Sequence, residues 1–304
     1  MEVKSKRTKH KKVYDMGDGA FEVENFADPI HYKENGEWKE IDLNIKETDE
    51  DYAFKVEKNA LKAFFKDDPT ENNTIKFKAE NGYIEFTPVC MRYRSGKDIN
   101  VLAEPKNNGV DVDDNNIKYK NEFPNIDDEF VVEHEDIKDN LIIKELPEPP
   151  KEEDSFLEFV DKIDLNGSLV SDGRIIDFHH KTKSEIEIRN FRGQHVFTIP
   201  KLKIFEKDDQ NNYIIGEYEI KFKEDGIYLI SRVPCSYLFD DERKLPIIVD
   251  PNTTIKAEYE TGNLARVDES QPDKNFFEYD YDLIKRDEIK EIETLDDAGD
   301  LVRS

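Results

Sequence analysis

Cysteine and tryptophan are almost missing from this chain: Cys90, Cys235 and Trp38 are the whole complement among 304 residues. Two cysteines so far apart cannot make a disulfide framework, and with no export signal in view two buried free thiols are expected. Long apolar runs are also missing, which excludes a membrane-spanning helix. The basic start leads into Val13-Tyr14-Asp15 instead of an apolar segment, so no signal peptide is visible and assembly in the cytoplasm is expected. Positive charge is in deficit, with 71 acidic against 45 basic side chains and a net charge of −26. A nucleic-acid surface needs a basic footprint, so nucleic acid is not the expected partner. Catalytic signatures are lacking as well. There is no nucleophile elbow, no phosphate-cradling glycine loop, no dinucleotide fingerprint and no zinc-protease helix motif.

Aromatic residues are plentiful. Nineteen phenylalanines and thirteen tyrosines separate this chain from disordered polypeptides of similar polarity. Period-two alternation dominates, as in Ile75-Lys76-Phe77-Lys78, Glu185-Ile186-Glu187-Ile188 and Tyr218-Glu219-Ile220-Lys221-Phe222. Asn35-Gly36, Asn81-Gly82 and Asp225-Gly226 join such runs as hairpin turns. Helix signals are scarce. Ala60 to Lys66 offers one short turn, and Asp280 to Ala298 has a helix-like spread of Leu283, Ile289, Ile292 and Leu295 among charges.

The expected class is therefore all-β, with two antiparallel, hairpin-rich β-sandwich bodies. The expected parts are a basic arm (1–12), an N-terminal β domain (13–109), a second sandwich (110–254) and a C-terminal extension with a short helix (255–304). The proline-rich stretch from Leu146 to Pro150 is expected to be an exposed connection between two strands.

One acidic stretch has metal-ligand spacing. Asp111, Asp113 and Asn115 fall at the first, third and fifth positions of a calcium loop, and Glu122 at the twelfth. Against calcium stand Asn116 at the position of the usual glycine, Lys118 at the usual apolar position, and the lack of flanking helices. The plain alternative is a solvated loop leading into a strand at Ile117 to Tyr119. His179, His180 and His195 could hold a transition metal only if neighbours on a strand faced the same way, which they do not. Carboxylates are so abundant that a pair of them says nothing about glycosidase chemistry.

Two segments are set apart as partner contacts. Lys4, Lys6, Arg7 and Lys9 form a basic arm on an acidic body, suited to an acidic surface such as another copy of the chain. Phe276, Phe277, Tyr279, Ile289 and Ile292 give the C-terminal segment more apolar groups than a solvated tail needs. Docking on a partner chain is expected there.

Tyr14-Asp15-x-Gly17, then Pro29 to Lys33, then Gly36-x-Trp38-x-x-Ile41-Asp42 resembles the N-terminal β segment of Rhs and wall-associated-protein-like surface proteins. Related segments occur in structural proteins of tailed phages and prophages. Ile117 to Ile143 and Leu245 to Thr254 resemble two later pieces of the same family, in the same order. The resemblance implies a β-sandwich scaffold without catalytic residues, and Trp38 packed with Tyr32 as core or cross-strand fill. With no export signal seen, the expected role is a non-enzymatic virion protein, as head decoration, fibre or tail. Its partners would be other virion proteins and its own copies, with no membrane. A cell-surface adhesion or carbohydrate-binding β module is the alternative, and a glycan-active hydrolase or lyase the second.

Overall fold

The computed structural model describes residues 1–254 apart from 18 and 153. Beyond these it describes only the strand pairs Arg266–Val267 with Asn275–Phe276 and Glu293–Leu295 with Leu301–Arg303. Residues 1–256 form one compact unit and 257–304 another. The first is almost entirely antiparallel β, and its one α-helix among the described residues is the single turn Cys235–Leu238.

Eight strands form the centre of two large sheets: β1 (Gly82–Ser95), β2 (Asn116–Phe123), β3 (Ile126–Val132), β4 (Asp136–Ile143), β5 (Ser155–Leu165), β6 (Glu217–Lys223), β7 (Gly226–Pro234) and β8 (Ile247–Asp250). The ten-stranded sheet runs β6-β7-β5-β1 through its middle. The twelve-stranded sheet is built on β2-β3-β4, with β8 and Thr253–Thr254 both pairing with β4. The polar stretch expected to separate a first body from a second lies between Asp98–Ala103 in the first sheet and Val110–Asp113 in the second. It is a change of sheet within one compact unit. The proline-rich stretch does the same between β4 and β5, with Tyr93 Oη donating to the Glu148 carbonyl at 2.9 Å.

Alternation decides which side chains meet. One face of β3 presents Ile126, Asp128, Phe130 and Val132; one face of β4 presents Ile137, Asp139, Leu141 and Ile143. On β5 the matching set is Leu157, Phe159, Asp161 and Ile163. The two sheets join through these faces into one apolar core. Phe130 lies 5.5 Å from Phe65 and 6.2 Å from Phe77, and Phe123 lies 5.9 Å from Phe159, ring centre to ring centre across the layers. Asn35 and Gly36, at φ +53° and +82°, make the mirror-image turn that the Asn-Gly pair predicts.

Two local expectations fail for reasons of register and phase. Ala60 to Lys66 holds the strand Lys62–Phe65, because Ala63 and Phe65 alternate inward and are fully buried. Trp38 does not pack with Tyr32. It stands opposite Lys33 in the hairpin, so it faces away from buried Tyr32, with the Lys33 ammonium 4.7 Å from its ring centre. Both cysteines are free and buried, as expected.

Phe130→Ala should therefore cost about 3–5 kcal/mol, as large-to-small aromatic core changes do. Trp38→Ala should cost less, about 1–2 kcal/mol, because its ring is only half-buried and its cation–π contact adds under about 1 kcal/mol. Urea denaturation of both variants checks the order, and a Trp38 variant as damaged as the Phe130 variant would contradict the pairing of Trp38 with Lys33.

Candidate functional site

The inward faces of β3, β4 and β5 each carry one acid where the pattern asks for an apolar residue. Asp128, Asp139 and Asp161 are these acids, and Glu122 joins them from β2. An irregularity between Tyr119 and Phe123, with Asn121 at φ +44°, turns Glu122 inward beside Phe123. Glu122 is 1% exposed and Asp128 5%. All four line a cavity of about 40 Å³ between the sheets, with Ser231 and Thr253 in the same wall. Three come from the twelve-stranded sheet and Asp161 from the other. Burial pushes Glu122 up to about 8 and Asp161 to about 7. It also holds Asp128 and Asp139 well above the usual carboxylate range, with the neighbouring acids adding to the effect. Among the described residues no basic side chain forms an ion pair with any of the four. Glu122 Oε1, Asp128 Oδ1 and Asp139 Oδ1 are buried with no hydrogen-bond partner.

Two other polar clusters are neutralised from within. On the outer face of the ten-stranded sheet, fully buried Glu158 accepts from Arg92 Nε at 2.7 Å and Arg232 Nε at 3.0 Å. Arg232 also reaches Glu217, while Glu219 takes His179 Nε2 at 2.6 Å and Lys221 Nζ at 3.1 Å. At the N-terminus Glu2, His31 and Glu40 could each offer one atom to a metal ion. His31 Nδ1 donates to the Thr8 carbonyl at 2.7 Å, which leaves Nε2 buried and bare. Here, however, Arg7 binds Glu2 at 2.6 and 2.7 Å and Glu40 at 3.1 Å, and Lys12 meets Glu40 at 3.1 Å. Two cations already answer two carboxylates, so the trio needs no metal.

These clusters also account for the residues singled out in sequence. The basic arm is folded onto the body. Arg7 is buried in its ion pairs, Lys9 pairs with Glu135, Lys6 lies 3.5 Å over the Phe21 ring, and Lys4 opens a one-turn 3-10 helix. Arg7 and Lys9 find acidic partners within the chain. The calcium-loop residues are not brought together. Asp111 and Asp113 lie on the exposed edge strand Val110–Asp113, where Asp111 takes Lys120 at 2.8 Å. Asn115 Nδ2 donates to the Val132 carbonyl, and Glu122 is in the core. A tight hairpin replaces the loop because Val110 to Asp113 pairs directly with Asn116 to Tyr119. Phe277, Tyr279, Ile289 and Ile292 lie outside the described residues, as does the Phe276 side chain. Sequence reading missed the carboxylate cavity, although acids in phase with apolar residues on three strands were the available signal.

The cavity makes stability depend on pH. The folded chain holds protons on these carboxylates that the unfolded chain releases near pH 4. Between about pH 4 and 8 the folded state thus binds more protons, and stability falls as pH rises through that window. In buffer freed of divalent ions, the Tm should drop by roughly several degrees from pH 5 to 8. Asp161→Asn should flatten some of the drop, and an unchanged slope in that variant would exclude the cavity as its source.

No family model and no solved structure matches the chain. Among curated proteins it is 28% identical over 274 residues, 86% of its length, to a tRNA3(Ser)-specific nuclease WapA of Bacillus spizizenii. It is 27% identical over 272 residues to a tRNA nuclease WapA of Bacillus subtilis. In both cases it spans 11% of the relative. A wall-associated protein of Geobacillus stearothermophilus is 24% identical over 209 residues, 66% of this chain and 72% of that protein. These matches overturn the expected virion protein, since nothing among them is a head, fibre or tail component. They also overturn the expectation of a non-enzymatic protein, because three of the relatives are named for cleaving tRNA. The resemblance holds on its wall-associated side: the chain is similar to wall-associated proteins.

Proposed function

We propose that the chain is a cell-surface β module of a wall-associated protein of the tRNA-nuclease kind. The match to the Geobacillus wall-associated protein carries this reading, because it takes in most of both chains. A module with that role has to hold its shape without a partner. The core spans both sheets, and the N-terminal segment is tied to the body by Arg7 and Lys9. Cell fractionation of the source organism tests the placement. The protein should be found with the wall and be cut by protease added to intact cells; recovery from the cytoplasm alone would sink the reading.

A second reading, that this chain itself takes part in cleaving tRNA, is favoured by one cluster. His179 is 57% exposed at its side chain and hydrogen-bonded to Glu219, with Lys181 opposite Glu219 across the strands and Lys221 3.1 Å from the same carboxylate. An imidazole–carboxylate pair can move protons, and cations beside it can hold a phosphodiester. Purified chain incubated with total tRNA should then release discrete fragments, at least about a hundredfold slower after His179→Ala, the usual scale of a lost acid–base group. Intact tRNA with the unaltered chain would remove this reading and leave the first untouched.

A further inference from the structure

We infer that the edge strand Asp98–Ala103 of the ten-stranded sheet is an interaction surface for a second copy of this chain, which adds its own Asp98–Ala103 antiparallel across a two-fold axis at Asn100. This goes beyond the surface reading and does not depend on it. The strand pairs with β1 on one side, and no strand among the described residues pairs with its other side. Asp98 to Val101 are exposed throughout, and Ile99 and Val101 keep 48% and 56% of their surface in solvent. A bare edge with two β-branched side chains is the arrangement that soluble proteins otherwise blunt with charge or proline.

Register explains why the partner is the same strand. Ser95 and Asp98 close a two-residue turn with Gly96 at φ +57°, so they form a hydrogen-bonded pair. Such pairs alternate along a ladder. Asp98 and Asn100 therefore bond back to β1, while Ile99 and Val101 turn their N–H and C=O groups outward. With Asn100 on the two-fold axis, Ile99 stands opposite the second copy's Val101, and Val101 opposite its Ile99. Both contacts are then hydrogen-bonded pairs, each exchanging both backbone bonds. The apolar side chains of the two copies fall on one face of the joined sheet, the face they share with Arg92 and Arg94. Asp98 falls opposite Leu102 and not opposite another acid. Two other bare edges lack this match. Ala20–Asn25 carries Glu22 and Glu24, and Val110–Asp113 carries Asp111 and Asp113, each pair on one face. A two-fold axis sets like faces opposite each other, so those strands bring acid against acid. A register shift between Val101 and Ala103 ends the regular stretch, which keeps the contact short and the dimer weak.

Sedimentation of the full chain from about 10 µM to about 1 mM tests the inference. A reversible monomer–dimer equilibrium is expected, with a Kd of about 0.1 mM, as a small contact gives. Each copy carries a net charge of −26, so the dimer should gain as salt screens the repulsion. A chain that stays monomeric throughout overturns the inference. Ile99→Lys combined with Val101→Lys alters only exposed side chains, so the Tm should hold within about 3 °C while the Kd rises at least about tenfold. A dimer that persists unweakened in this variant also overturns the inference. Asn100 meets its own copy in a non-hydrogen-bonded pair, where the Cα atoms come within disulfide reach at about 4.5 Å. Under mild oxidation Asn100→Cys should therefore crosslink into a dimer at least about tenfold faster than Val112→Cys, an exposed cysteine on another edge. Cys90 and Cys235 are buried and do not compete. Equal rates for the two variants would indicate chance collision and remove the pairing at Asn100.

Discussion

Two large sheets share a single apolar layer, and the order of the body rests on that contact. Phe65, Phe77, Phe123, Phe130 and Phe159 close it from both sides. The layer has to be dry to stabilise anything, because burial of apolar surface is the main favourable contribution to folding. Four acids sit inside it. A water-filled gap there would weaken the packing, and an ionised, unpaired carboxylate would weaken it more. The chemistry of the cavity and the cohesion of the fold are thus one problem. Whatever neutralises the acids also decides how firmly the sheets hold together.

The contrast among the three polar clusters makes this concrete. Glu158 is more deeply buried than any acid of the cavity, yet it has arginines on either side. Arg7 is buried for the same reason in reverse. In both places charges of each sign entered together, and the buried pair has its partners in place. The cavity acids entered with none.

Much of the fold was legible because strands and hairpins leave short-range signals. Asn35-Gly36 and the Ile75 to Phe86 hairpin were readable from neighbours alone. Trp38 was misread because its facing depends on cross-strand register, which pairs it with Lys33. The strand Lys62–Phe65 was misread because a run of four residues carries too little period to tell a strand from a turn. The cavity stayed hidden for another reason. Among 71 acidic residues, Asp128, Asp139 and Asp161 look like surface until the alternation of three separate strands is laid side by side. Glu122 could not have been found even so, since a local irregularity sets its direction. The virion role failed because it leaned on the reading of the chain's two ends, while the wall-associated side of the same resemblance leaned on motifs spread from Tyr14 to Thr254.

The pairing of distant strands sets a timetable. β1 finds its neighbour β5 only after some sixty further residues have been added, and β4 waits for β8 near residue 250. Neither sheet can close while the chain is still short, so local hairpins form early and the sandwich forms last. A polypeptide of this design carries hairpins but no closed sandwich until most of it has been made. Its two halves commit to each other only when the last central strand arrives.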